Sequence, residues 1–111
     1  MGSYVRQSGA VSTLINNTTA TIFTINATAI VAFSVNYTIS REYNYRTGTL
    51  VVTSDIGDSS GGLEFSDDFV ENNPTGITLT VSQAGDTISI GYTATATGVN
   101  GTMYYSVTNL A

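Results

Sequence analysis

The sequence predicts an all-β domain: an antiparallel β-sandwich, jelly-roll-like, of about seven to eight short strands with no substantial helix. Three observations lead there. Apolar and polar residues alternate in run after run. Gly, Asn, Asp and Pro interrupt those runs about every 8 to 12 residues. No stretch carries the 3.6-residue period of a helix with one apolar face. Polarity comes mainly from Thr, Ser and Asn, and the β-branched Thr suits a pleated surface with one face in water.

Residues 4–19 (YVRQSGAVSTLINNTT) have weak periodicity and several turn-formers. They read as an arm, with one short strand around 11–15. Met1-Gly2-Ser3 reads as a cloning remnant, and on that reading the chain is expected to be a piece of something longer. The expected division is therefore remnant and arm or linker over 1–19, and one sandwich domain over 20–111. Residues 21–26 (TIFTIN) are apolar on both faces, as a buried or interface strand would be.

Residues 30–41 are the longest alternating run, with Val31, Phe33, Val35, Tyr37 and Ile39 on one face. Residues 46–54 follow, with Leu50 and Val52 in phase. A turn centred between Tyr43 and Asn44 would set Tyr37 opposite Leu50, Val35 opposite Val52 and Ile39 opposite Gly48. The run 55–62 (DIGDSSGG) is a loop, and 63–70 puts Leu63, Phe65 and Phe69 on one side, interrupted by Asp67. Residues 71–76 hold the single Pro and read as a turn.

The best-patterned stretch is 76–98, with Ile77, Leu79 and Val81 answered by Ile88, Ile90 and Tyr92. A turn on Ala84 and Gly85 would set Val81 opposite Ile88, Leu79 opposite Ile90 and Ile77 opposite Tyr92. Both apolar sets then share a face, which a one-residue slip would destroy. Asn100-Gly101 is a further turn signal. The final strand, 102–110, alternates at Met103, Tyr105 and Val107.

Composition bounds the function. A chain of 111 residues is one domain's worth. It carries a net charge of −5, no Lys, and only Arg6, Arg41 and Arg46 as cations. Nucleic-acid binding needs a basic stripe, so that class is excluded, as is attachment to anionic lipid by basic charge. No apolar run approaches the roughly 20 residues that span a bilayer, so no membrane insertion is expected. Neither a basic start nor an apolar core marks a signal peptide. The absence of Cys and His removes thiolate chemistry, the usual general base and the commonest transition-metal ligand. No cofactor and no enzymatic activity are expected.

Two groups of residues are candidates for binding. Tyr43 and Tyr45, with Asn44 between them and Arg41 and Arg46 on either side, form an aromatic hairpin tip. Exposed aromatic rings beside guanidinium planes suit sugar or protein surfaces. The plainer reading is that a tyrosine packs on its own sheet or on a neighbouring subunit. The second group is acidic: Asp55, Asp58, Asp67 and Asp68, with Glu64 and Glu71, around the Gly-rich loop. Surplus carboxylates there would be calcium ligands, though their spacing matches no EF-hand and solvated loop charge is the simpler account. Tyr104, out of phase with Met103 and Tyr105, would face a neighbouring subunit.

From residue 35 onward the order of features resembles the C-terminal module of bacteriophage tail and fibre proteins. The stretches carrying it are VNYTISR, YRTGTLVVTSD, LEFSDDFVE, TGITLTVSQAGDTISIGYTATATG and GTMYYSV. The resemblance implies a virion component, usually a homotrimer at the distal end of a fibre or spike, contacting a host-cell receptor or glycan. Two further readings share the fold: a carbohydrate-binding or adhesin-like module of a bacterial surface protein, hence extracellular, and a virion assembly or decoration domain without a ligand.

Overall fold

A computed structural model describes residues 9–28, 32–54 and 62–110. Within them the chain forms eight strands and no helix: β1 (Ala10–Leu14), β2 (Thr19–Asn26), β3 (Ala32–Arg41), β4 (Asn44–Thr53), β5 (Glu64–Glu71), β6 (Ile77–Ala84), β7 (Thr87–Ala94) and β8 (Gly101–Asn109). They make two antiparallel sheets, one of five strands in the order β1-β8-β3-β4-β5, one of three in the order β2-β7-β6. The expected all-β sandwich is what the chain forms.

Alternation decides which side chains meet between the sheets, because successive strand residues point to opposite faces. Phe33, Val35, Tyr37 and Ile39 of β3, Leu50 and Val52 of β4, and Met103 and Val107 of β8 meet Ile77, Leu79, Ile88, Ile90 and Tyr92 of the smaller sheet. Each fully buried side chain of this size contributes about 1.5–3 kcal/mol. Phe23 of β2 stacks on Tyr105 of β8, with ring centroids 5.1 Å apart and planes within 11°. Val31 lies outside the described residues.

Both expected hairpins form, but each is displaced by two residues. Across β6–β7, Leu79 faces Tyr92, Val81 faces Ile90 and Ile77 faces Ala94. The loop is Gly85-Asp86, with Gly85 at φ 59. A two-residue hairpin loop of this kind needs positive φ at its first position, which glycine adopts without a Cβ penalty, so the turn moves one residue along. Across β3–β4, Tyr37 faces Gly48, Val35 faces Leu50 and Ile39 faces Arg46. The loop there is Glu42-Tyr43, with Glu42 at φ 57.

Three smaller differences have local causes. The two-faced apolarity of 21–26 reflects a register shift in β2 between Thr21 and Phe23, which leaves Ile22 as an extra residue. Asn100-Gly101 makes no tight turn. Gly101 opens β8 with a side-chain position crowded by Ile77, and the positive φ of that connection belongs to Gly98. The short strand expected around 11–15 forms as β1, but it pairs with β8 at one edge of the larger sheet instead of lying in a separate arm, with Leu14 fully buried.

Candidate functional site

The β3–β4 tip sits at one pole of the sandwich, where the β1–β2, β5–β6 and β7–β8 connections also converge. Tyr43 is 83% exposed, and Tyr45 points outward from β4. The tip is braced from the β5–β6 connection by Asn72. Its Oδ1 accepts from Tyr45 N at 2.7 Å, its Nδ2 donates to Tyr43 O at 3.1 Å, and its N donates to Tyr45 O at 3.2 Å. Asn44 Nδ2 donates to Pro74 O at 3.4 Å. Such side chain–backbone bonds hold a loop in one shape without a regular ladder.

The two arginines leave the tip. Arg41 and Arg46 are 3% and 5% exposed, and both guanidinium groups turn inward. Arg41 is bonded almost entirely to carbonyls: Nε to Val99 O at 2.9 Å, Nη1 to Thr75 O at 3.1 Å, and Nη2 to Thr95 O at 2.6 Å. Nη2 also donates to Asn16 Oδ1 at 3.0 Å. That same oxygen accepts from Thr97 N and Gly98 N at 2.8 and 2.9 Å. One guanidinium therefore ties three connections together beneath the tip. Its five donors in a fixed plane make this task one that lysine does not reproduce.

Arg46 fills a different place. Nη2 pairs with Asp67 Oδ2 at 2.6 Å, Nη1 donates to Ile77 O at 2.5 Å, and Nε donates to Tyr37 Oη at 3.2 Å. The Tyr37 hydroxyl donates in turn to Asp67 Oδ1 at 2.6 Å. The guanidinium carbon lies 3.6 Å from the centre of the Phe69 ring, a close cation–π contact. Burial first, and the bond to Asp67 second, push the Tyr37 phenol well above its ordinary value of 10, with Arg46 partly opposing. Among the described residues no buried side-chain nitrogen or oxygen lacks a partner.

Of the four calcium candidates, Asp55 and Asp58 lie outside the described residues. Asp67 faces inward to Arg46, whereas Asp68 points from the opposite face of β5. Alternation on one strand thus separates the two. Glu71 accepts from Thr75 N and Oγ1 at 3.2 and 2.8 Å, anchoring the β5–β6 connection. Among the described residues no three His, Cys, Asp or Glu side chains converge as metal ligands would.

One surface depression adjoins the tip and another lies on the outer face of the larger sheet. Tyr45, Thr47, Val70, Glu71 and Asn72 line a depression of about 330 Å³, with Val70 69% exposed. The outer face of the larger sheet carries a wider one, about 720 Å³, with Val11, Tyr104, Thr38 and Thr47 in its wall and no charged side chain. Thr38 and Thr47 share a hydroxyl bond at 3.1 Å, and Thr49 donates to Asn36 at 2.8 Å.

Sequence reasoning missed the Arg46–Asp67–Tyr37 cluster and the bracing by Asn16 and Asn72. The cluster had a signal. Arg41 is in phase with Ile39, Arg46 with Leu50, and Asp67 with Phe65 and Phe69, so alternation already turned all three inward. The asparagines had none, because they act between connections far apart in the chain.

No protein-family model matches this chain, and no curated protein sequence matches it. In three dimensions it is similar to the crystal structure of the Acinetobacter baumannii phage AM24 tailspike protein, with a TM-score of 0.54 at 9% sequence identity. The match covers 96% of this chain and 26% of the tailspike chain, so this chain spans about a quarter of that protein's length. At that identity the likeness is one of fold.

Proposed function

We propose that this chain is a non-enzymatic structural and host-receptor-binding module at the tip of a phage tail fibre or spike, part of the virion and acting as a homotrimer. The observation that carries this reading is the likeness of nearly the whole chain to a part of a phage tailspike. The order of motifs from residue 35 onward supports it. So does the pole, where Arg41 and Asn72 hold the connections in one shape while Tyr43 and Tyr45 stand in solvent. Rigid aromatic anchors offer apolar area at low entropic cost, as recognition surfaces require. The part-buried carboxylate of Asp67 is committed to Arg46 and Tyr37, which supports a structural role for it over a catalytic one.

Flow cytometry of the fluorescently labelled chain on a panel of bacterial strains tests attachment. Strain-restricted binding is expected, falling about tenfold or more in Tyr43→Ala and Tyr45→Ala with the melting temperature unchanged. Binding that ignores both substitutions would make this an assembly or decoration domain. Broad capture of cell-wall polysaccharides on a glycan array would point to the adhesin-like reading. Sedimentation of a strict monomer at micromolar concentration would refute the trimer.

A further inference from the structure

We propose that the free edge of β6 is a strand-accepting site, which takes one extended, unaccompanied segment of a partner chain with apolar residues at alternate positions and no acidic ones. The inference does not depend on the attachment reading above.

The two sheets are unequal. Arg46 of β4 donates to Ile77 O at the start of β6, and Ser54, just past β4, donates to Gln83 near its end. Strand β6 therefore lies along β4 for its whole length. The larger sheet continues one strand further, to β5, and among the described residues nothing in the smaller sheet stands opposite. Phe65 and Phe69 of β5 are in phase with buried Val52, so they point to the inner side of the sandwich. Yet they are 50% and 42% exposed. Among the described residues, a position one strand wide, about 4.8 Å, is open above them and beside β6.

The backbone of β6 is prepared for a neighbour. Thr95 N donates to Gly76 O, and this pairing repeats at every second residue towards the turn. The amide and carbonyl groups of Leu79 and Val81 consequently point away from β7, into the open position. Sheet edges are ordinarily blunted by shortness, bulges or charge. Three of the four edges here follow that rule. Strand β1 has 5 residues, β2 carries a register shift, and β5 bears Glu64, Asp67, Asp68 and Glu71. Strand β6 is 8 residues long, uncharged, free of Pro and regularly paired throughout.

Geometry and charge select the occupant. Two copies meeting edge to edge through β6 would bring their β4 strands about one strand spacing apart, leaving no room for the two β5 strands between them. A second copy's β6 is thereby excluded, and a lone strand fits. Its inward side chains would cover Phe65 and Phe69. A depression of about 510 Å³ lies there, with Phe69, Pro74, Ile77 and Leu79 in its wall beside the charged Arg46, Asp67 and Glu71. From β5 the open position is faced by Glu71 and by Asp67, which is paired with Arg46, while Glu64 and Asp68 take the other face; in a chain of net charge −5 an acidic segment is still disfavoured. This is recognition by strand addition, with main-chain bonds supplying affinity and alternate side chains specificity.

The test uses three short alternating Thr–Val peptides bearing neutral, Lys or Glu ends, read by fluorescence anisotropy and amide hydrogen exchange. The neutral and Lys peptides are expected to bind, the Glu peptide about tenfold more weakly. Amides of Leu79 and Val81, exchanging freely in the isolated chain, should become protected. Methylating alternate peptide nitrogens, which needs no variant of the protein, should abolish binding. Val81→Pro, whose lost N–H faces the open position, should do the same while keeping its melting transition. The proposal is overturned if no peptide binds at millimolar concentration or if the methylated peptide binds equally. Protection of those two amides in the isolated chain, or protection that rises with protein concentration alone, would also overturn it.

Discussion

Replacing Asp67 by Ala breaks the one ion pair found among the described residues. The Arg46 and Asp67 side chains are 6% and 17% exposed, so solvent screens the pair little. The substitution removes the Nη2 and Tyr37 hydroxyl bonds together, leaving a guanidinium in the core without its counter-charge. Breaking a buried pair from one side costs about 3–5 kcal/mol, because the surviving charge keeps its desolvation penalty. With an unfolding entropy of about 2.1 cal/mol/K per residue, a 111-residue chain loses about 4 °C of Tm per kcal/mol, hence about 13–21 °C here. Calorimetry or urea denaturation measures this directly. Asp68→Ala, one residue away on the outward face, is the control and should stay within about 0.5 kcal/mol of wild type. The triple replacement Arg46→Met, Asp67→Leu and Tyr37→Phe should recover most of the loss, since a packed apolar cluster holds no buried charge and leaves no phenol hydroxyl unpaired. An Asp67→Ala cost under about 1 kcal/mol, equal to that of a screened surface pair, would refute the reasoning.

Two further predictions concern the same neighbourhood. The Tyr37 phenol is raised in the folded chain, so its contribution is fully present below pH 10, its ordinary value. It is lost as pH climbs from there through the raised value. Ultraviolet titration should show an ionisation step well above pH 10 that disappears in Tyr37→Phe, and a single step near 10 in the wild type would count against it. Gly48→Ala would place a Cβ 2.5 Å from Asp68 O and 2.7 Å from Phe69 Cβ, where backbone cannot easily yield. A loss of about 1–3 kcal/mol is expected. A melting temperature equal to wild type would show that β5 moves aside freely.

Much of the fold was legible because strand alternation is a local property. Every alternating run picked out in the sequence became a strand, and Val35, Leu79 and Ile90 all reached the core they were expected to join. The candidate site was legible only in part. Tyr43 stood out as an aromatic residue that no core needed, and it is exposed. Arg41 and Arg46 were read by their nearness in sequence to the tip, whereas their phase with Ile39 and Leu50 governs where they point. The partner of Arg46 comes from β5, across a connection rich in Gly and Ser, and no local rule names that neighbour.

The sequence by itself determined the class of fold, the strands and the face each side chain takes. An alternating pattern is unchanged when one strand slides by two residues, so it specifies faces and leaves the register open. Only the tertiary structure decided that register. In β6–β7 the decision follows the glycine that accepts positive φ at the turn. In β3–β4 it goes against local preference, holding Glu42 at φ 57 so that bulky Tyr37 lies across from Gly48 and Arg46 reaches Asp67. The pole was likewise decided by packing, because one buried guanidinium and two asparagines join connections that are remote in sequence and adjacent only in the folded chain.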